Sequence, residues 1–255
     1  MTAVLSARGI SVSFGGVKAV QEVDLDVEPG QLVGLIGPNG AGKTTFVDAI
    51  TGFVRHEGTV MLNGADITGM PPHLRARRGL ARTWQAIELF DDLTVAENVT
   101  VAAQHPSLVT TVKQLFGGRI DQSQEIYEML DEFSLVDLAE ATPDELTQSQ
   151  RKMVAVARAL AARPALLCLD EPAAGLDATE SAEFARHLRG VVDQGTPTLL
   201  IDHDMGLVLG ICDQIVVVEF GEVIAKGTPA EVRKDPRVVK AYLGSAAEAL
   251  EDEVA

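Results

Sequence analysis

A glycine-rich segment at residues 37–45, Gly-Pro-Asn-Gly-Ala-Gly-Lys-Thr-Thr, constrains the fold of this chain more than any other feature. It fits the pattern G-x-x-x-x-G-K-[ST] of a phosphate-binding loop. Residues 32–36 before it form an apolar run typical of a buried strand, and residues 45–51 after it indicate the start of a helix. A strand, a glycine-rich turn and a helix are the context in which such a loop works. A chance glycine-rich turn is the alternative, and this context argues against it.

The chemistry of the segment follows from its residue types. Glycines allow backbone conformations that a Cβ would forbid, so successive N–H groups can point at one polyphosphate. Lys43 is predicted to meet the β- and γ-phosphates, and the Thr44 hydroxyl to bind Mg²⁺. The residues predicted to bind the nucleotide phosphates are therefore Gly37, Pro38, Asn39, Gly40, Ala41, Gly42, Lys43, Thr44 and Thr45.

Composition excludes several functions. The net charge of −16, with no basic stripe, argues against nucleic acid as a partner. No apolar run reaches the roughly 18 residues that span a bilayer, and residues 1–16 do not resemble a signal peptide. We therefore expect the protein to be made and kept in the cytoplasm. Cys168 and Cys212 both lie in apolar surroundings, which predicts buried, reduced thiols.

The order of local patterns predicts an α/β fold. Strand patterns dominate residues 5–83, with a hairpin signal at Asn63-Gly64. Helical periodicity marks residues 95–104, 124–133 and 150–161, with an unpatterned stretch at 106–120. Strands and helices then alternate to residue 227, which predicts parallel strands in βαβ units. We expect a mostly parallel sheet interrupted by a helical subdomain.

Two carboxylates follow an apolar strand pattern at residues 166–169. Asp170 would lie beside the phosphate loop, because open α/β sheets bind ligands at the carboxyl ends of their strands. Asp170 is predicted to hold Mg²⁺, and Glu171 to orient or deprotonate a water aimed at the γ-phosphate. Adjacent Asp and Glu also occur on plain surface loops. Phe14 is open to two interpretations, stacking on a base or packing in the strand core.

Several motifs in one order make the sequence resemble the nucleotide-binding subunit of an ATP-binding cassette (ABC) transporter. They are residues 37–45, Gln85, residues 146–150, residues 167–172, residues 174–177 and His203. The resemblance covers residues 5–244. It implies an ABC-type P-loop ATPase core, residues 1–85 and 162–244, with a mostly parallel sheet and an N-terminal antiparallel β subdomain. A helical subdomain is implied at 86–161, and an acidic tail follows at 245–255.

The resemblance also implies roles for single residues. Gln85 is similar to the glutamine that contacts Mg²⁺ and the attacking water. His203 is similar to the switch histidine that bonds the γ-phosphate, Asp177 to the residue that faces the opposing subunit, and Phe14 to the aromatic that stacks on adenine. The implied catalytic set is Glu171, His203, Gln85 and Lys43; the implied metal ligands are Thr44, Gln85 and Asp170; the implied cofactors are ATP and Mg²⁺.

The signature segment departs from the family pattern. The usual Leu-Ser-Gly-Gly-Gln, which touches the ATP of the partner subunit, stands here as Leu146, Thr147, Gln148, Ser149 and Gln150. Thr147 keeps a hydroxyl, but Ser149 has a Cβ where a glycine lets the backbone approach closely. Alternatively, Ser149 donates its own hydroxyl. We expect an asymmetric pair of ATP sites, one of them weak or non-hydrolytic.

Three stretches, residues 14–20, 81–90 and 227–244, resemble the ATPase subunits of branched-chain amino acid importers. This implies a second ABC ATPase subunit as partner, a heterodimer being favoured, with two transmembrane permease subunits and, indirectly, a solute-binding protein. The chain would be peripheral on the inner face of the cell membrane. The alternatives are a soluble ABC ATPase that acts as an assembly or regulatory module without a permease, and a nucleotide sensor that barely hydrolyses ATP.

Overall fold

The computed structural model describes residues 2–84, 89–103 and 123–242, with the side chain of Ser123 outside that description. Its strands are β1 Leu5–Phe14, β2 Val17–Val27, β3 Leu32–Ile36, β4 Glu57–Leu62, β5 Ala65–Asp66, β6 Leu80–Arg82, β7 Leu166–Asp170, β8 Thr198–Ile201, β9 Gln214–Glu219 and β10 Glu222–Gly227. Its α-helices are α1 Lys43–Thr51, α2 Pro72–Arg77, α3 Val95–Ala103, α4 Ser123–Glu132, α5 Gln148–Ala161, α6 Ala178–Asp193, α7 Met205–Ile211 and α8 Pro229–Val232.

A four-stranded sheet in the order β2-β1-β4-β5 forms the N-terminal part, and its strand pairs are antiparallel. The predicted hairpin is confirmed between β4 and β5, where Leu62 pairs with Ala65. Asn63 and Gly64 between them have φ values of 49° and 73°. Two positive φ angles match a two-residue turn whose twist suits antiparallel strands, and Asn-Gly tolerates them best.

A six-stranded sheet in the order β10-β9-β3-β8-β7-β6 carries the rest of the fold. Its strands from β9 to β6 pair in parallel, and β10 pairs antiparallel with β9 at the edge. The predicted α/β fold with a mostly parallel sheet is confirmed. Every residue of β3, β7 and β8 is buried. Since parallel strands end at one edge, Ile36, Asp170 and Ile201 bring the phosphate loop and the predicted carboxylates to the same edge.

Two hydrophobic clusters cover the two faces of this sheet. Leu35 and Cys168 belong to the cluster shared with the antiparallel sheet and α1. Ile36 and Leu167 belong to the cluster shared with helices α3 to α7. Neighbouring residues of a strand point to opposite faces, so an unbroken apolar strand serves both clusters at once.

The helices α3, α4 and α5 pack on one another through residues such as Val99, Leu130 and Val154. They follow each other in the chain between β6 and β7, where the inserted helical subdomain is predicted. The boundaries 86–161 stay a prediction. Gln85, the predicted loop 106–120 and the acidic tail 245–255 lie outside the described residues. Over the described ranges, no helix is long and apolar enough to cross a membrane.

Arg75 closes the C-terminal end of the phosphate-loop helix. Its side chain, with the residue 2% exposed, donates to the carbonyl oxygens of Ala49 at 3.0 Å and Ile50 at 2.7 Å. It also donates to Met70 O at 2.8 Å and Thr68 O at 2.6 Å. The last carbonyls of a helix have no partner within the helix, so one guanidinium both satisfies them and ties α1 to the segment before α2.

We expect Arg75→Met to lower the free energy of unfolding by about 3 kcal/mol, because buried carbonyls would lose a charged donor. Urea denaturation followed by circular dichroism measures the change. The exposed neighbour Arg77 on the same helix offers a matched control, and Arg77→Met should change the free energy by less than about 0.5 kcal/mol. Equal stability of the two variants would contradict a stabilising role for Arg75.

Cys168 and Cys212 are free and buried, as predicted. Burial raises the pKa of both thiols from 9.0 to about 12. The unfolded thiols ionise near pH 9 while the folded ones stay protonated, so their contribution to stability should fall as the pH rises from about 9 towards 12. Ellman's reagent at pH 8 should label neither cysteine in the native protein and both after unfolding. Rapid labelling of the native protein would contradict this.

Candidate active site

The phosphate loop joins β3 to α1 in a conformation that only glycine supports at two positions. Gly37 and Gly42 have φ values of 157° and 99°. A Cβ on Gly37 would lie 2.0 Å from the carbonyl oxygen of Val218, and one on Gly42 would lie 2.3 Å from that of Ala19. The loop is therefore packed directly on neighbouring backbone, and its shape is fixed before any ligand binds.

The start of α1 is open to an anion. Gly42 occupies the N-cap position, and no side chain of the described residues caps it. The first N–H groups of a helix have no partner within the helix, and the helix dipole adds positive potential there. Asn39, Gly40 and Thr44 are exposed around this point. Backbone donors at an uncapped helix start bind phosphate well.

Lys43 bridges the loop from inside. Its Nζ donates to Gly37 O at 2.7 Å and Pro38 O at 3.0 Å, and the residue is buried. Burial lowers the pKa of Lys43, and the nearby carboxylates of Glu171 and Asp170 act in the opposite direction. A buried ammonium that holds only carbonyl oxygens can exchange them for the stronger acceptors of a phosphate.

The structure brings Glu171 and His203 together at the carboxyl edge of the parallel sheet. His203 Nδ1 lies 3.9 Å from Glu171 Oε2 and 3.6 Å from Asp202 Oδ1. Glu171 has a left-handed φ of 47°, and its N–H donates to Ile201 O at 2.7 Å. Non-glycine residues seldom hold such a φ unless the surroundings fix it, so the direction of the Glu171 side chain is set by β8.

Asp202, a residue without a predicted role, organises the turn after β8. It is fully buried, and its Oδ1 accepts the N–H groups of His203 at 2.8 Å and Asp204 at 3.0 Å. Its Oδ2 accepts the N–H of Ala173 at 3.3 Å. Asp202 therefore links the segment that carries Glu171 to the segment that carries His203. A carboxylate directly after a buried strand was the signal that could have identified it.

Lys152 is a second residue without a predicted role. It lies on α5, is buried, and donates through Nζ to Pro172 O at 2.7 Å and Ala174 O at 2.5 Å. These contacts join α5 to the loop that follows Glu171. A lysine beside the apolar residues Met153 and Val154 was the available signal.

Arg82 is the third residue of this kind. Its Nη2 lies 2.8 Å from Asp170 Oδ2, and its Nη1 lies 2.5 Å from Asp48 Oδ1. The predicted metal ligand Asp170 is thus ion-paired with an arginine at the end of β6. Arg82 is close to Gln85 in the sequence, but no sequence pattern indicates that it pairs with Asp48 or Asp170.

The signature segment forms the start of α5. Thr147 is the N-cap, its Oγ1 accepts the N–H of Gln150 at 3.2 Å, and Gln150 Oε1 accepts the N–H of Thr147 at 2.9 Å. Such a capping box leaves the hydroxyl proton of Thr147 able to bond an acceptor. Gln148 is exposed, whereas Ser149 and Leu146 are buried. Ser149 is therefore less accessible than Thr147 to an opposing phosphate.

The segment before α6 contacts the signature segment. A Cβ on Gly175, whose φ is 79°, would lie 2.9 Å from the side-chain nitrogen of Gln148. Asp177 is exposed and is the N-cap of α6, where its Oδ1 accepts the N–H groups of Thr179 and Glu180, both at 2.8 Å. The cap fixes the direction of Asp177 at the surface.

Phe14 is 54% exposed at the end of β1. The strand-core interpretation is therefore wrong, and the side chain is available to stack on a ligand.

The donor atoms present suit Mg²⁺. This ion prefers oxygen ligands and is usually held by one or two protein groups together with phosphates and water. The hydroxyl of Thr44 and the carboxylate of Asp170 are of that kind. Within the described ranges, no three His, Cys, Asp or Glu side chains form a group that could hold a metal. The donor set therefore fits an ion bound jointly with a polyphosphate.

Comparisons with known proteins give family models, relatives and solved structures that are similar to this chain. Residues 20–174 match the family model described as ABC transporter, and residues 222–248 match that of a branched-chain amino acid ATP-binding cassette transporter.

The high-affinity branched-chain amino acid transport ATP-binding protein BraF of Pseudomonas aeruginosa is 40% identical over 252 residues, which cover 95% of this chain and 98% of BraF. LivG of Escherichia coli K12, which has the same description, is 40% identical over 255 residues, and these cover 95% of this chain and 98% of LivG. The crystal structure of a nucleotide-free ATP-binding cassette from an ABC transporter superposes with a TM-score of 0.82 at 30% identity, covering 94% of this chain and 99% of that chain.

Proposed function

Because this chain belongs to the ABC transporter ATP-binding family and is an ATP hydrolase, we propose that it powers an importer for branched-chain amino acids or a related small polar solute. The observation that carries the proposal is the match of residues 222–248 to the branched-chain amino acid ATP-binding cassette transporter family. The 40% identity to BraF and LivG along 95% of the chain supports it.

In the proposed reaction, the loop N–H groups and Lys43 hold the β- and γ-phosphates and stabilise the charge that develops on them. Thr44, Asp170 and Gln85 would hold Mg²⁺, and the charge of that ion would neutralise the phosphate oxygens. Glu171 orients the attacking water and accepts its proton, while His203 bonds the γ-phosphate. The 3.9 Å contact between His203 and Glu171 supports this division of roles.

We further propose that ATP binds between the phosphate loop of one subunit and the signature segment of another. Closure of the two subunits would move the helical subdomain against the permease, and loss of the γ-phosphate would reopen them. The partner would be a second, different ABC ATPase subunit. The assembly would hold this chain at the inner face of the cell membrane, with Phe14 stacking on adenine and Asp177 facing the partner.

The signature segment gives a prediction for the assembled complex. We expect Ser149→Gly to raise the ATPase rate about twofold, because removing the Cβ lets the backbone approach the opposing phosphate. Ser149→Ala keeps the Cβ and removes the hydroxyl, so it distinguishes the effect of the Cβ on the ATPase rate from that of the hydroxyl. If Ser149→Gly leaves the rate unchanged, the serine has no consequence and the expected asymmetry is wrong.

The alternatives are a soluble ABC ATPase without a permease and a nucleotide sensor. The importer-like match at residues 222–248 favours the transporter over the first. Lys43, Asp170 and Glu171 occupy one edge of the sheet, which favours hydrolysis over mere sensing. Single-turnover hydrolysis of radiolabelled ATP by the complex distinguishes a slow sensor from an enzyme.

Uptake of radiolabelled leucine by cells tests the proposed function. Cells that carry the wild-type chain should accumulate leucine, and excess isoleucine or valine should compete. Cells that carry Lys43→Ala at the same expression level should lose the leucine uptake with which isoleucine and valine compete. Uptake of all three amino acids that is identical in the two strains would contradict the proposed solute class.

A further inference from the structure

We propose that Arg82 is a positioning residue that fixes Asp170 relative to the phosphate-loop helix α1, and thereby sets how strongly Mg²⁺ tightens ATP binding. The inference rests on the proposed function, in which Thr44 and Asp170 hold the metal. It adds a residue that contacts neither ATP nor the metal.

The ion pair of Arg82 with Asp170 is shielded from solvent. The side chains of Arg82 and Asp170 are only 5% and 7% exposed, and the two partners approach to 2.8 Å. Asp48 is the second partner, at 2.5 Å, and its side chain is 25% exposed. Charge-assisted hydrogen bonds are strong and directional, and screening by salt is weak where water is excluded. The guanidinium therefore holds both carboxylates in defined orientations.

Arg82 connects the two elements that carry the proposed metal ligands. Asp48 lies on α1 one turn after Thr44, and Asp170 ends β7. Arg82 itself ends β6, where it pairs with Cys168 of β7. The planar fork of arginine can bind two carboxylates at fixed angles, which the point charge of a lysine cannot do. One side chain thus sets the separation of the Thr44 helix and the Asp170 strand.

The contact also defines which oxygen of Asp170 remains for the metal. Arg82 binds Oδ2. A carboxylate has two oxygens, and a bond to one of them restricts rotation about Cβ–Cγ. Oδ1 is the oxygen that Arg82 does not bind, and it would be the one available to a metal. Partners that orient metal ligands in this way typically change metal affinity about 10-fold to 100-fold when they are removed.

Trp84 supplies a spectroscopic reporter for Arg82. The guanidinium carbon lies 4.3 Å from the centre of the Trp84 ring, and Phe53 contacts the same ring edge-on with centroids 4.9 Å apart. Trp84 is the only tryptophan in the chain. A cation over an indole face perturbs its electrons, so the emission of Trp84 should respond when binding at Asp170 shifts the charge of the pair.

The first experiment measures ATP affinity by titration calorimetry, once with Mg²⁺ and once with EDTA, for the full chain and its variants. The Mg²⁺ factor is the ratio of the dissociation constant of ATP in EDTA to that in Mg²⁺. In Arg82→Gln and Arg82→Lys, the Mg²⁺ factor should fall about 10-fold, whereas the affinity for ATP in EDTA should change less than about threefold. Arg189 offers a matched control, because it too bonds two carboxylates, Asp193 and Asp213, but at the surface. Arg189→Gln should keep the wild-type factor.

The second experiment follows the emission of Trp84. Adding Mg²⁺ to the ATP-bound wild type should shift the emission, and Arg82→Gln should lose that shift. Since Arg82→Gln removes a buried ion pair, thermal melting must first show that the variant folds. If it does not fold, Asp48→Asn provides the test, because it removes the tie to α1 and keeps the Arg82–Asp170 pair. Asp48→Asn should lower the Mg²⁺ factor by about threefold.

Failure of the inference and failure of the proposed function give different results. If Thr44→Val loses the Mg²⁺ factor while folded Arg82 and Asp48 variants keep it, Arg82 is no positioning residue and the site assignment stands. If Thr44→Val itself keeps the wild-type factor, the assignment of the metal site is wrong, and the inference falls with it.

Discussion

Replacing Lys43 by alanine should lower the rate of ATP hydrolysis at least about 100-fold, the largest effect of any single side chain in the phosphate loop. The ammonium of Lys43 is buried and held 2.7 Å from Gly37 O, so it already lies inside the loop that would bind the phosphates. The charge that develops in the transition state would meet a preorganised cation in wild type and none in the variant.

Steady-state phosphate release by the assembled complex measures the Lys43→Ala effect. Lys226→Ala is a suitable control, because Lys226 is exposed on the edge strand β10 and the variant should retain full activity. A Lys43→Ala complex that hydrolyses ATP at a near-normal rate would contradict the role of the loop. Melting curves show whether the variant folds, since Lys43 also bonds the loop carbonyls.

Glu171→Gln should lower kcat about 100-fold or more while leaving the affinity for ATP within about threefold. Glutamine keeps the size of the side chain and can still orient a water, but it cannot accept a proton. The backbone of Glu171, at a φ of 47° and bonded to Ile201, should hold glutamine in the same direction. A fall in kcat with a nearly unchanged affinity for ATP would identify a chemical role for Glu171 rather than a structural one.

Rapid-quench kinetics and equilibrium ATP binding, carried out on the same complex, measure the two quantities. Glu183→Gln is a control for the loss of one negative charge, since Glu183 is exposed on α6. If Glu171→Gln binds ATP poorly and turns over the bound fraction normally, Glu171 stabilises the nucleotide and another group activates the water.

Local patterns predicted most of the fold. The strand predicted at residues 32–36 has the bounds that the structure gives, and the strand predicted at 166–169 extends one residue further, to Asp170. These elements have strong local causes, since a buried parallel strand is apolar without interruption and turn residues punctuate it. The turn at Asn63-Gly64 followed from two residues that accept positive φ.

The contacts that build the candidate site could not be predicted in the same way. Arg82 meets Asp48 and Asp170 across separations of 34 and 88 residues, and Lys152 meets Pro172 across 20. A periodic pattern carries no information about such pairs, because only the sheet order brings them together. Phe14 had two interpretations for the same reason, and its exposure, which depends on the whole fold, excluded one of them.

Purification of the tagged chain from its own cells in mild detergent shows whether this chain drives a permease. Mass spectrometry should identify two multi-span permease chains and a second ABC ATPase subunit in comparable amounts, and the Lys43→Ala chain should recover the same set. Recovery of this chain with soluble proteins alone, or as a dimer of itself, would contradict the importer and favour a soluble ATPase module.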